Sequence, residues 1–158
     1  MMPHFRRNII GLLAGAGLLL GQCQSQKIPA AATNLNTAFE ISLNQKLALT
    51  GENQKVLGEI IFTQLDDSRC PANAMCVRQG AAVASFTIQA KGAEKQNLRL
   101  FIGDFMANDS RNKRNQTADT VMLQLENNGS YELILKAVMP YPGTSNGTPQ
   151  ATIQINKS

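Results

Sequence analysis

From Phe39 onward, apolar and polar residues alternate with a period of two over much of the chain. Phe39, Ile41, Leu43, Leu47 and Leu49 point one way while Glu40, Ser42, Asn44 and Lys46 point the other, which predicts one half-buried strand. VLGEIIFTQL (56–65) is apolar on both faces and predicts a more central strand. AAVASFTIQA (81–90) and residues 96–102 alternate again, with Lys91-Gly92-Ala93-Glu94 as the turn of a hairpin and Gly80 as a bulge or bend before it. Val121, Leu123 and Leu125 lead to Asn127-Asn128-Gly129-Ser130, where Asn128-Gly129 suits a type I′ turn, and Tyr131, Leu133, Leu135 and Ala137 return. Ala151, Ile153 and Ile155 form a last strand. Residues 103–119 and 139–149 carry turn formers without a period and read as long surface connections.

About seven strands result, with no helical period outside the first residues. Each half-apolar sheet needs a second layer over its apolar face, so the expected fold is an all-β, antiparallel β-sandwich over 38–158. A closed β-barrel of the same strands satisfies the pattern as well.

The N-terminal residues follow a different rule. Arg6 and Arg7 precede the apolar run IIGLLAGAGLLLG, which has the form of a secretory signal peptide and is short of the roughly 20 residues a membrane-spanning helix needs. Leu20-Gly21-Gln22-Cys23 resembles the lipobox of bacterial lipoproteins, with Gln22 standing where Gly, Ala or Ser is usual. The expected organisation is therefore a lipoprotein signal peptide over 1–22, lipid attachment at Cys23, and a polar tether over 23–37. The partner implied is the membrane, and the location is extracytoplasmic and membrane-anchored, at the outer membrane, its periplasmic face or the cell surface. Gln24, rather than Asp, follows the cysteine and leans towards the outer membrane.

In an oxidising compartment, Cys70 and Cys76 are expected to form a local disulfide rather than a reduced metal or redox site. Closing so small a loop stabilises the fold by roughly 2 kcal/mol on the chain-entropy model. Pro71, just inside it, fixes one backbone angle and withdraws one donor. Residues 70–76 thus read as a stapled turn.

Composition narrows the chemistry further. The only histidine is His4, inside the leader, so triads built on histidine and the usual zinc sites have no candidate residue afterwards. The chain carries a formal charge of +4, which falls to +2 once Arg6 and Arg7 leave, and this implies no polyanionic partner. Arg111-Asn112-Lys113-Arg114 has no neighbouring aromatic on which bases could stack, so no nucleic acid is expected. Asp66 and Asp67 offer oxygen ligands for calcium as a minor reading; the simpler expectation is that Asp67 accepts from the backbone of the turn before Cys70. Arg69 could pair with either carboxylate or stand exposed. Tyr141, with Tyr131 and Phe105, supplies the candidate ligand-facing aromatics, the plainer role for Tyr141 being to cover an open edge of the core. Met75, Met106, Met122 and Met139 are too scattered for copper, and those on strands are expected to fill the core. Asn108, Asn115, Asn128 and Asn146 each begin an N-x-S/T triplet, which marks polar loops.

The succession DDSRCP, Cys76-Val77-x-x-Gly80-Ala81-Ala82-Val83, MPYPG and a final ATIQI strand resembles a broad group of small bacterial lipoproteins with a DSRCP…C…G signature, over roughly 39–156. Arg78 stands near where many of them carry Trp. The resemblance implies an extracytoplasmic β-sandwich bridged between Cys70 and Cys76, and it implies no activity. The functional expectation is a lipid-anchored binding or structural module with an unknown protein or small ligand, no cofactor, and no enzymatic role. The alternatives are a hydrolase using carboxylate or Ser-Lys chemistry, with Asp66 or Asp67 converging on Arg69 or Lys46, and a protease inhibitor that presents Arg69.

Overall fold

The computed structural model describes residues 32–104, 115–126 and 129–158. The leader, Cys23, the first part of the tether, Phe105, Met106, the basic stretch 111–114 and Asn127-Asn128 lie outside the described residues. The described residues form nine strands: β1 (Ala32–Asn34), β2 (Phe39–Ser42), β3 (Lys46–Thr50), β4 (Val56–Asp67), β5 (Ala81–Ala90), β6 (Lys95–Gly103), β7 (Asp119–Glu126), β8 (Gly129–Met139) and β9 (Gln150–Lys157). One sheet has the order β1-β3-β4-β5-β6 and the other β2-β9-β8-β7. The fold is the expected β-sandwich and is not closed into a barrel. All pairings are antiparallel except that of β1 with β3.

The alternation explains which side chains fill the space between the layers. Ile60, Phe62, Phe86, Ile88 and Leu100 project from the first sheet, and Ile41, Leu133, Leu135, Ile153 and Ile155 from the second, each at most 1% exposed. Phe62 and Phe86 are direct cross-strand partners whose rings stack at 5.1 Å, the pairing that most favours an antiparallel ladder. At the corner between the sheets, side chains stand in for strand pairing. Gln96 donates to the Gln124 carbonyl at 2.8 Å and accepts from its N–H at 3.3 Å, while the Asp119 carboxylate accepts from the Phe101 N–H at 3.0 Å. These contacts occupy backbone groups on the facing edges of β6 and β7.

Several expectations need correction. The single strand expected over 39–49 is two strands in different sheets, because Asn44 takes a left-handed conformation (φ 66) and its N–H donates to Phe62 O at 2.7 Å. Residues 32–37 are not tether: β1 pairs with β3, and the N–H groups of Leu35 and Asn36 donate to Thr50 O and Ile155 O. In the β7–β8 hairpin Glu126 pairs with Gly129, so Gly129 is a strand residue rather than a turn centre. Met122 and Met139 are on strands but about half exposed, and Met75 is fully exposed, so none of the three fills the core. No helix among the described residues is long and apolar enough to cross a membrane.

Two bulges decide which polar residues face inward. In β4 the register shifts between Phe62 and Gln64, so the inward set passes from Ile60 and Phe62 to Leu65 and Asp67, opposite Ala84 and Ala82. In β8 the shift between Leu135 and Ala137 leaves Lys136 outside the ladder and moves the buried position to Val138. Gly80 provides the expected bend before β5. Its φ is +68, and a Cβ added there would collide with the Ser68 carbonyl.

Gly80→Ala should destabilise the protein by more than the roughly 1 kcal/mol of an unfavourable backbone conformation alone. Gly92→Ala, at φ +78 with nothing within 4 Å of an added Cβ, supplies that backbone cost by itself. Urea unfolding of both variants measures the difference; equal losses would show that the Ser68 contact is relieved without cost.

Candidate functional site

Asp66, Asp67, Arg69, Cys70, Cys76 and Tyr141 gather at one end of the sandwich, where β4 ends and β5 begins. The Asp67 carboxylate, turned inward by the β4 bulge, accepts from the Arg69 backbone N–H at 3.1 Å and so closes the tight turn ahead of Cys70. It also accepts from Arg69 Nε at 2.9 Å and Nη2 at 2.6 Å. The guanidinium reaches across to the other sheet. There Nη1 donates to Val138 O at 3.0 Å and Nη2 to Pro140 O at 3.4 Å, and the group lies 4.6 Å from the centre of the Tyr141 ring. The side chains of Arg69 and Asp67 are only 8% and 16% exposed.

This arrangement corrects the idea of an exposed, inhibitory Arg69: the side chain is a buried clasp between the sheets and is not presented on the loop. Tyr141 packs one face against that clasp, close to its expected covering role. Asp66 points away from Asp67, as neighbours on a strand must, and both its oxygens accept from Gln64 Nε2. The two carboxylates therefore do not share a calcium cradle. Among the described residues no group of three or more His, Cys, Asp or Glu is placed to hold a metal ion. Lys46 pairs with Glu59 at 2.9 Å on the face of the first sheet. Of the charged groups expected to converge, Asp67 and Arg69 do meet, as an ion pair with each other, while Asp66 and Lys46 are held elsewhere.

Cys70 and Cys76 are bonded, with Cα atoms 5.8 Å apart. The stapled loop is tied down at both shoulders: the Cys70 N–H donates to Gln79 O at 2.7 Å and the Ala72 N–H to Pro142 O at 2.8 Å. Its far side presents Met75 and Val77 fully exposed.

Beside the clasp lies an open groove of about 490 Å³ bordered by Arg69, Tyr141, Gly103, Asp104, Gln116 and Lys136. Backbone bonds anchor three of these. Gly103 and Gln116 exchange both backbone hydrogen bonds, at 2.7 and 3.1 Å. The Asp104 N–H donates to Gly80 O at 2.8 Å, and its carboxylate accepts from the Asn115 N–H at 2.8 Å. Lys136 lies at the register shift of β8, unpaired in the ladder and exposed. Gln116 Oε1 is buried and accepts no hydrogen bond. The sequence reading missed Asp104, Gln116 and Lys136. No local signal marked the last, since Ala137 carries the period of two past it and only the register shift moves burial to Val138.

The opposite end of the sandwich has grooves too, of about 400 and 440 Å³, but their principal charges satisfy each other. Lys55 Nζ meets Glu126 Oε1 at 2.6 Å, and the Tyr131 hydroxyl donates to Glu126 Oε2 at 3.2 Å. The Lys55 hydrogen bond, then its charge, holds the Glu126 carboxyl below the usual carboxylate range, and the same bond holds the Lys55 ammonium above the usual lysine range. Burial, then the Glu126 charge, raises the Tyr131 hydroxyl. The Lys55–Glu126 pair is satisfied internally, while Lys91 borders one of these grooves and Glu52 and Lys157 the other without an ion-pair partner among the described residues.

No family model, no curated protein and no solved structure matches this chain.

Two outcomes follow from this geometry. Arg69→Met leaves the Asp67 carboxylate buried without its partner and should cost about 3–5 kcal/mol in urea unfolding. A loss below about 1 kcal/mol would mean that water repairs the gap. At the other end, the contribution of Glu126 is present above the usual carboxylate range and disappears as pH falls through its lowered folded value; those of Lys55 and Tyr131 are present at neutral pH and disappear as pH rises through their raised values. Lys55→Met should therefore reduce the fall in unfolding midpoint between about pH 6 and pH 3 in low salt, where such an exposed pair is least screened. An unchanged acid limb would show that the pair is not felt in solution.

Proposed function

We propose that the chain is a lipid-anchored, extracytoplasmic lipoprotein of the small bacterial type, whose β-sandwich works as a binding module through the groove beside the Arg69 clasp. The observation that carries the binding part is the groove itself, bordered by the Arg69–Tyr141 stack and by Asp104 and Lys136, which are in no ion pair among the described residues. The Arg69 clasp on its border is already made before any ligand arrives, which lowers the ordering cost of binding. The basic, apolar leader ending at Cys23 supports the anchor, and the bridged Cys70–Cys76 loop fits an oxidising compartment.

Mass spectrometry of the native protein extracted from membranes tests the anchor. The expected species begins at Cys23, carries acyl chains, and resists alkylation at Cys70 and Cys76 until a reductant is added. A chain retaining residues 1–22, or one starting elsewhere without lipid, would overturn it. The groove is tested by recording amide shifts of the processed protein in detergent against a library of small polar fragments. Binders should perturb Gly80, Gly103, Gln116 and Lys136 together. Perturbations confined to the Lys55–Glu126 end would move the site there.

A further inference from the structure

The unused chemistry of the groove has two signs. Lys136 and Asp104 both border it, yet they form no ion pair with each other, and neither has another ion-pair partner among the described residues. Among the described residues the one other charge lining this groove is already spent, because the Arg69 guanidinium is forked onto Asp67 and the backbone carbonyls of Val138 and Pro140. The backbone anchors the two charged residues separately, Asp104 through Gly80 and Asn115 and Lys136 at the register shift of β8.

A ligand carrying one sign of charge would be attracted by one of these residues and repelled by the other. A ligand carrying both signs satisfies both. Resting on the binding reading above, we infer that the groove recognises a small zwitterion with a free amino group and a free carboxylate, that is, an amino acid or a short peptide. Its ammonium is received by the Asp104 carboxylate, which accepts hydrogen bonds, and its carboxylate by the Lys136 ammonium, which donates. Charge-assisted hydrogen bonds of this kind are about twice as strong as neutral ones, so both ends of the ligand contribute to selection. The Tyr141 ring beside the groove offers apolar contact for the part between.

The probes are dialanine, N-acetyl-dialanine and dialanine amide, titrated into the processed protein in detergent and followed by calorimetry and by amide shifts. Free dialanine should perturb Gly103, Gln116 and Lys136, and blocking either terminus should weaken binding about tenfold or more. In Lys136→Met the preference for the free carboxylate should vanish while the preference for the free amine remains. In Asp104→Asn, which keeps an oxygen for the Asn115 N–H, the reverse should hold. Blocked peptides that bind the groove as tightly as the free one would overturn the zwitterion and leave the groove standing. If neither these peptides nor the fragment library perturbs the groove, the binding reading falls with it. Equal loss of both preferences in either variant would also overturn the assignment, since it would mean that the residues shape the groove without reading charge.

Discussion

A buried guanidinium governs one end of this sandwich. Taking an arginine out of water is costly unless its charge is matched and its N–H groups are used, and Arg69 meets both conditions only in one arrangement of the two sheets. Its charge is matched by Asp67, two residues away at the end of the first sheet, and two further donors are taken by Val138 and Pro140 at the end of the second. Sliding the sheets past each other at this end would leave a charge or a carbonyl stranded. The apolar layers elsewhere tolerate small shifts; this forked group does not.

The groove follows from that constraint. Tyr141 is held against the guanidinium, and the connection it belongs to is bonded in turn to the stapled loop through Ala72 and Pro142. On the other side the pairing of Gly103 with Gln116 fixes where the second long connection departs. Beside them lies an open surface with Asp104 and Lys136 on its border. The disulfide has a secondary part in this: it keeps a loop bearing exposed Met75 and Val77 from unravelling and leaves the clasp to set the geometry.

The strands were legible because burial on one face imposes the period of two, and β5 and β6 lie within a residue of where alternation placed them. The change of sheet between β2 and β3 was hidden, since Leu43 and Leu47 keep the same phase through the Asn44 turn. β1 is three residues long, too short to carry a period. The site was less legible for a related reason. Asp66 and Asp67 are equivalent to a pattern of two, and only the bulge after Phe62 selects Asp67 for the inner face. Whether Arg69 turns inward depends on the carbonyls of Val138 and Pro140, far along the chain, which no local pattern encodes. Lys136, Asp104 and Gln116 meet through the same long-range geometry.

The most direct test of the clasp is a double-mutant cycle on unfolding free energy with Asp67→Leu, Arg69→Met and the two combined. If the pair is one buried unit, the double variant should be less destabilised than the sum of the single losses by about 1–3 kcal/mol, because it leaves no unmatched charge. Losses that add to within about 0.5 kcal/mol would show that the two residues act independently, and Arg69 would then not be what holds this end of the sheets together.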